Sequence, residues 1–221
     1  FSFIETPTFQ DIGLWKKSNR LEKFKNSMYF IEDKYVLFPT SEEPIHKFLG
    51  SVKGISYKDL PIKLAQVRHF FRSPPGYGRK PIRQREFEVV DGYVIYAPEQ
   101  EGDARSLCYK LAKEIIRSAK MKLTEVSKTR EYSLGGYTDF RIITPEGDDK
   151  IPNSGEKSLS VGVIMFLEDV FSKYFDLNVI GSNNKKIKPK SVSIAFGVER
   201  SLYAIVHSNR RDKDGLFTID W

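Results

Sequence analysis

The chain has 221 residues, with 36 Lys and Arg against 29 Asp and Glu, a net charge of +7 and a single cysteine. This length fits one domain, or one with a small appendage. The lone Cys108 excludes an intrachain disulfide framework, and no apolar run approaches the roughly 18 residues of a membrane span. The excess of cations favours anionic partners such as RNA, as a property of the surface field and not of the fold.

In chain order, residues 8–25 (TFQDIGLWKKSNRLEKFK) predict a polar helix or two short helical turns. MYFIEDKYVLFPT alternates about Glu32-Asp33-Lys34 and predicts a hairpin. PTSEEPIHKFLG predicts a strand end and then a helix capped by Ser41 or Thr40, with Glu42 and Glu43 in its first turn, where the helix dipole favours acids. Residues 61–72 read as a strand. Residues 85–96 read as another, with Phe87, Val89, Asp91, Tyr93 and Ile95 on one face. The two should pair antiparallel across the turn-rich, basic stretch FRSPPGYGRKPIRQREF. From Asp103 to Leu123 the spacing is helical, with Leu107, Leu111 and Ile115 on a stripe widened by Cys108, Ala112 and Ala119. GGYTDFRIITPEGDD predicts a strand and a turn, and the turn is a better reading of EGDD than metal carboxylates. VGVIMFLEDVFSKYF is open between buried strand and helix. GSNNKKIKPK predicts a solvated basic loop, SVSIAF a strand, and VERSLYAIVHSNR a closing helix after Gly197. Strands clustered around few helices predict an α+β class with a largely antiparallel sheet. Cys108 is expected as a packed core thiol. His46, His69 and His207 have no metal-ligand spacing with it, so no zinc site is expected.

The strand–basic loop–strand opening FR and closing R-x-REF resembles motif 2 of class II aminoacyl-tRNA synthetases, and SIAFGVERSLYAIV resembles motif 3. IETPTF, LWKKSNRLEKF, MYFIED, VLFPTSEEPI, SYKDLPIKLAQ, REFEVVDGY and HSNRRDKDGLFTIDW follow in the order of bacterial and organellar prolyl-tRNA synthetases. GGYTDFRI and EGDDKI match more loosely. The resemblance implies a class II synthetase-like antiparallel sheet flanked by helices over residues 1–221; the editing insertion and anticodon-binding domain of the family are not expected within this sequence. It also implies ATP and Mg2+ in an active enzyme, tRNA or another ribonucleoprotein RNA as partner, and a homodimer or larger protein assembly, since class II relatives dimerise near their first motif.

The resemblance also assigns roles. Activation brings a carboxylate onto the α-phosphate of ATP, so two anions must meet and catalysis is positioning and charge neutralisation. Arg72 takes the place of the arginine that bridges carboxylate and α-phosphate, and Arg200 that of the arginine on the terminal phosphate. Phe87 by itself reads as a core residue, and only the context of the resemblance puts it in the place of the aromatic under adenine. Gly197 allows close approach of backbone or nucleotide. Thr40 and Glu42 would bind the substrate ammonium, a role compatible with helix capping. Arg79, Lys80 and Arg83 would face RNA, with Lys185, Lys186, Lys188, Lys190, Arg210 and Arg211 as further surface cations.

Four positions depart from the family pattern: Pro74 stands for an acidic residue that reads adenine, Ser160 for a Glu, Val163 for a His and Glu168 for a Gly. Three of them, Pro74, Ser160 and Val163, bear on the substrate pocket. They lead to the expectation of a prolyl-tRNA-synthetase-like paralog with weakened or lost amino-acid activation, serving an RNA-containing assembly in a mitochondrial or other organellar matrix. The alternatives are an active ATP-dependent proline–tRNA ligase, or a ligase activating another amino acid for a non-tRNA acceptor.

Overall fold

The computed structural model describes residues 1–73, 82–130, 133–145, 147, 149–152 and 154–209. The elements in chain order are β1 (Ser2–Phe3), β2 (Phe9–Asp11), α1 (Ile12–Lys17), α2 (Leu21–Phe24), β3 (Phe30–Ile31), β4 (Tyr35–Leu37), α3 (Glu42–Ser51), β5 (Ile62–Phe71), β6 (Glu86–Tyr96) and α4 (Glu101–Ser118). Then follow β7 (Thr124–Arg130), β8 (Ser133–Ile143), β9 (Asp149–Lys150), β10 (Lys157–Glu168), α5 (Val170–Tyr174), β11 (Val179–Ile180), β12 (Lys186–Ile187), β13 (Lys190–Gly197) and α6 (Val198–Ser208).

The main sheet runs β1-β5-β6-β13-β10-β8-β7, with β9 on β10. Every pairing in it is antiparallel except β1 on β5. β5 and β6 pair antiparallel from Ile62↔Ile95 to Phe71↔Glu86, as their alternation predicts. The β3–β4 hairpin turns through Glu32 and Asp33, both at φ near +50°. That left-handed pair matches the twist of the flanking strands.

Because strand side chains alternate, one sheet carries two different surfaces. On one, Val94, Tyr96, Phe140, Ile164, Val192, Ile194 and Phe196 form a core with α4 and α6. The buried line of α4 is Ala104, Cys108 and Ala112, with Leu107 and Leu111 flanking it and Ile115 exposed. The predicted stripe is therefore rotated by about a residue. Small side chains at one face let the helix approach the sheet, and the leucines fill the groove on either side. Cys108 is fully buried, which pushes its thiol up to about 12. The helix ends earlier than its periodicity suggests, in a left-handed Lys120 with the Met121 N–H bonded to the Ile116 carbonyl at 3.0 Å.

The other surface is covered over only part of its area. There Ile45 and Leu49 of α3 and Phe171 of α5 pack with Leu64, Tyr93 and Ile95. The ambiguous stretch after Val161 is both things in turn, strand through Glu168 and helix from Val170. The break is a bulge at Phe166–Glu168, with Glu168 at φ +51° where the family pattern has glycine. Its carboxylate bonds to Arg105 and Lys190 at 3.1 and 2.8 Å. Lys190 also holds Glu101 at 2.6 Å, and Lys188 donates to the Ser172 carbonyl at 3.3 Å. The basic stretch is thus not wholly a solvated loop, because Lys186 lies in β12 and Lys190 in β13.

Candidate active site

The uncovered part of the second surface is a pocket of about 580 Å³. Its floor is a row across four strands, Asp91, Ala195, Val163 and Asp139, set by the pairings Asp91↔Ala195, Ala195↔Val163 and Val163↔Asp139. Met165 and Ser193 lie one row further in. Thr40, Glu42, Arg72, Arg83, Phe87, Gly197 and Arg200, named from sequence, all line this pocket. Arg79, Lys80, Pro74, Arg210 and Arg211 lie outside the described residues.

The inner end is built by the turn entering α3. Neither Ser41 nor Thr40 caps that helix with its side chain, contrary to expectation. The Ser41 hydroxyl donates to Asp91 across the fold and the Thr40 hydroxyl to Glu42 two residues on, so neither is left to cap the helix. Gln10 fixes the same turn by donating to the Thr40 carbonyl at 2.9 Å while accepting from the Trp15 indole at 2.8 Å. Glu42 and Glu43 are both buried and share one cation, Arg20. Burial acts to raise Glu42, but Arg20, the Thr40 hydroxyl and Arg72 outweigh it and hold the carboxyl below its ordinary value. Burial lifts Glu43 to about 7 and Asp91 to about 7. His46 is also buried, bonded to the Glu42 carbonyl at 2.7 Å and the Ser191 hydroxyl at 3.0 Å. Burial lowers it to about 4, so it is neutral and structural.

The outer end carries the guanidinium groups. Arg72 follows β5 directly, donates through Nε to the Pro39 carbonyl at 2.8 Å, and lies 5.4 Å from the Phe87 ring centroid. Phe87 also packs on Phe70, with centroids 5.9 Å apart, so it is at once a core contact and a pocket wall. Arg200, in the first turn of α6, donates to the Ile82 carbonyl at 3.3 Å and the Ser160 carbonyl at 2.9 Å. A bulge between Ser160 and Gly162 brings Ser160 onto the pocket face, where its hydroxyl donates to Asp139. Arg141 completes this wall, bonded to Asp139 at 2.5 Å and to the Ser158 hydroxyl at 2.8 Å. Val163 faces the pocket and offers no hydrogen bond.

Sequence reasoning assigned no role to Arg20, Asp91, Asp139, Arg141 or Glu199. Asp91 was visible inside REFEVVDGY, and Asp139 and Arg141 inside the looser match GGYTDFRI. Arg20 was visible inside LWKKSNRLEKF, but nothing there set it apart from the cations beside it.

This sheet, with Arg72 at the end of β5 and Arg200 in the first turn of α6 facing one pocket, has the architecture of the class II aminoacyl-tRNA synthetase core. Residues 24–209 match the family model described as tRNA synthetase class II core domain (G, H, P, S and T), and the chain belongs to that family. It is similar to proline–tRNA ligases. That of Sulfurimonas denitrificans is 38% identical over 261 aligned positions, covering 94% of this chain and 59% of the relative. That of Anaplasma phagocytophilum is 28% identical, covering 90% of this chain and 48% of the relative. The chain thus spans roughly half the length of these relatives. Among solved structures, Giardia lamblia prolyl-tRNA synthetase in complex with prolyl-adenylate shares the fold, with a TM-score of 0.79 at 22% identity over 93% of this chain and 42% of that one.

Proposed function

We propose that this chain is the activation core of a prolyl-tRNA-synthetase-like protein, in which the pocket joins an amino acid to ATP as an aminoacyl adenylate. The supporting observation is that Thr40, Glu42, Arg72, Phe87, Gly197 and Arg200, drawn from separate stretches of sequence, line one pocket. Ionised Glu42 and Thr40 would receive the substrate ammonium at the inner end. Arg72 would hold the carboxylate against the α-phosphate, Arg200 the terminal phosphate, and the Phe87 ring the adenine. The carboxylate oxygen attacks the α-phosphorus, the bond to the bridging oxygen breaks, and pyrophosphate leaves. The guanidinium groups are fixed by backbone carbonyls before substrate arrives, which is how positioned charge lowers such a barrier.

Mg2+ bound with ATP takes most of its ligands from phosphate and water, and commonly one or two from carboxylates. The donor set fits that use. Glu199 lines the pocket, its two oxygens accept only the Glu88 N–H, at 3.0 and 3.2 Å, and it pairs with no cation among the described residues. It would hold the ion, which would neutralise phosphate charge. Among the described residues no group of three or more His, Cys, Asp or Glu side chains forms a metal site by itself.

A second reading is favoured by Ser160 and Val163: a paralog with weakened or lost activation that serves as an RNA-binding subunit of an organellar assembly. Ser160 is engaged with Asp139, and Val163 replaces a polar side chain at the centre of the floor. In this reading Arg83, at the pocket wall, joins Arg79 and Lys80 in meeting RNA phosphates. Both readings carry the homodimer that the first-motif resemblance implies. The deciding measurement is ATP–pyrophosphate exchange with each amino acid. Exchange with L-proline that is abolished in Arg200→Ala supports the first reading. No exchange with any amino acid, together with salt-sensitive RNA binding, supports the second.

A further inference from the structure

The inner end of the pocket contains a buried cation that neither the sequence nor the proposed reaction uses. Arg20 lies between α1 and α2, 8% exposed. Its guanidinium sits 5.4 Å from the Trp15 ring, 4.6 Å from Phe24 and 5.3 Å from Phe171. These rings leave it little freedom to turn. Its Nη1 is divided unequally, 2.9 Å from Glu43 Oε1 and 3.4 Å from Glu42 Oε2. Glu43 also accepts from the Ser18 hydroxyl at 2.9 Å, while its second oxygen is buried without a partner. Glu42, by contrast, faces the pocket beside Thr40.

We propose that Arg20 is the positioning residue of the amino-acid subsite: its shorter hydrogen bond to Glu43 anchors the guanidinium, and through its longer contact it pairs with Glu42 and keeps that carboxylate aimed at an incoming ammonium. This rests on the proposed activation function for the identity of the ligand, but not for the geometry. Both buried carboxylates are paired with Arg20, and Arg72 supports Glu42 as well, so the surplus acid is Glu43. The proton that relieves it belongs on Glu43, whose second oxygen is buried without a partner and whose burial raises it to about 7. The charged and titratable groups facing Glu43 are Arg20, Glu42 of its own helix and Tyr93 of β6, whose phenol burial raises well above its ordinary value; Ser18 is a neutral donor. An ammonium entering beside Glu42 supplies a further cation, so ligand binding should favour loss of the Glu43 proton.

The test is calorimetric binding of L-proline to the whole chain at neutral pH, in two buffers of different ionisation enthalpy. The variants are Arg20→Met, Arg20→Lys and Glu43→Gln, with ligand-free thermal unfolding of each across pH. Wild type is expected to release protons on binding. Glu43→Gln should bind within about threefold of wild type without that release, since it keeps shape and hydrogen bonding. Arg20→Met should lose about tenfold or more in affinity, the scale of one charge-assisted hydrogen bond, and Arg20→Lys should recover part of it. A folded Arg20→Met that binds like wild type, or a proton release unchanged in Glu43→Gln, overturns the proposal. If wild type does not bind L-proline, the proposed activity is what fails. The ligand-free arm then decides the assignment. Glu43 has an ordinary value of 4.5 and a folded value near 7, so its contribution to stability is complete below the first and lost as pH rises through the second. Glu43→Gln should remove that fall, and an unchanged profile rejects the assignment.

Discussion

The two faces of the main sheet are made from the same strands and held together in opposite ways. Ile164 and Val163 are neighbours on β10, yet Ile164 is sealed under the helices and Val163 faces the pocket. On the helix face, burial of apolar area is the main force, and the contacts are interchangeable within limits of volume. On the pocket face each buried charge depends on a named partner: Glu42 and Glu43 on Arg20, Asp139 on Arg141, Asp91 on Ser41. One face can drift in sequence while keeping its shape. The other is sensitive to a single lost atom, because an unpartnered buried charge is far costlier than a small cavity.

The largest effect should come from breaking a pair on the pocket face. Arg141→Met leaves Asp139 buried with, among the described residues, only the Ser160 hydroxyl, and should cost ~3–5 kcal/mol in denaturant unfolding. Adding Asp139→Leu should recover part of it, and a double variant worse than the single one would contradict the pairing. Next comes the contrast within β10. Ile164→Ala should cost ~2–5 kcal/mol as a core truncation, whereas Val163→Ala, at the open pocket, should cost less than ~1 kcal/mol. Equal losses would mean the pocket face is packed like the other.

Gly162→Ala tests how tightly the helix face is filled. An added Cβ would lie 2.4 Å from Phe196 Cε1, in a ring stacked on Phe140. Overpacking of ~1–3 kcal/mol is expected, read as a fall in midpoint without change in slope. Asp91 gives a pH-dependent counterpart on the pocket face. Burial raises it from 3.8 to about 7, so its contribution is complete below the first value and lost as pH rises through the second. Relative to wild type, Asp91→Asn should therefore gain stability as pH is raised from about 4 to about 8, and parallel profiles would refute this. The smallest effect is expected at Glu168→Gly, within ~1 kcal/mol either way. Relief of the left-handed backbone is set against two half-exposed ion pairs of small worth.

The sequence by itself determined the alternation of β5 and β6, the hairpin at Glu32–Asp33, the α4 and α6 helices and, through its ordered motifs, the class. Those signals are local: period two, period 3.6, and turn residues at fixed offsets. It also named Arg72, Arg200, Phe87, Thr40 and Glu42, because those residues sit inside motifs. Apart from close pairs such as Asp139–Arg141, two positions apart on β8, only the tertiary structure decided what the buried charges are paired with. Ser41 and Thr40 read as helix caps until Asp91 and Glu42, brought close by the sheet and the α3 turn, took their hydroxyls. The β10–α5 stretch was ambiguous because a continuous apolar run is buried equally well as strand or helix, and it took the bulge at Phe166–Glu168 to divide it. Arg20 sits inside the matching stretch LWKKSNRLEKF, yet its pairing could not be read there, since its partners are 22 and 23 positions away and no periodicity connects a guanidinium to a carboxylate across a fold. Pairing in space is set by the packing of whole elements, and that information is not written in any one segment.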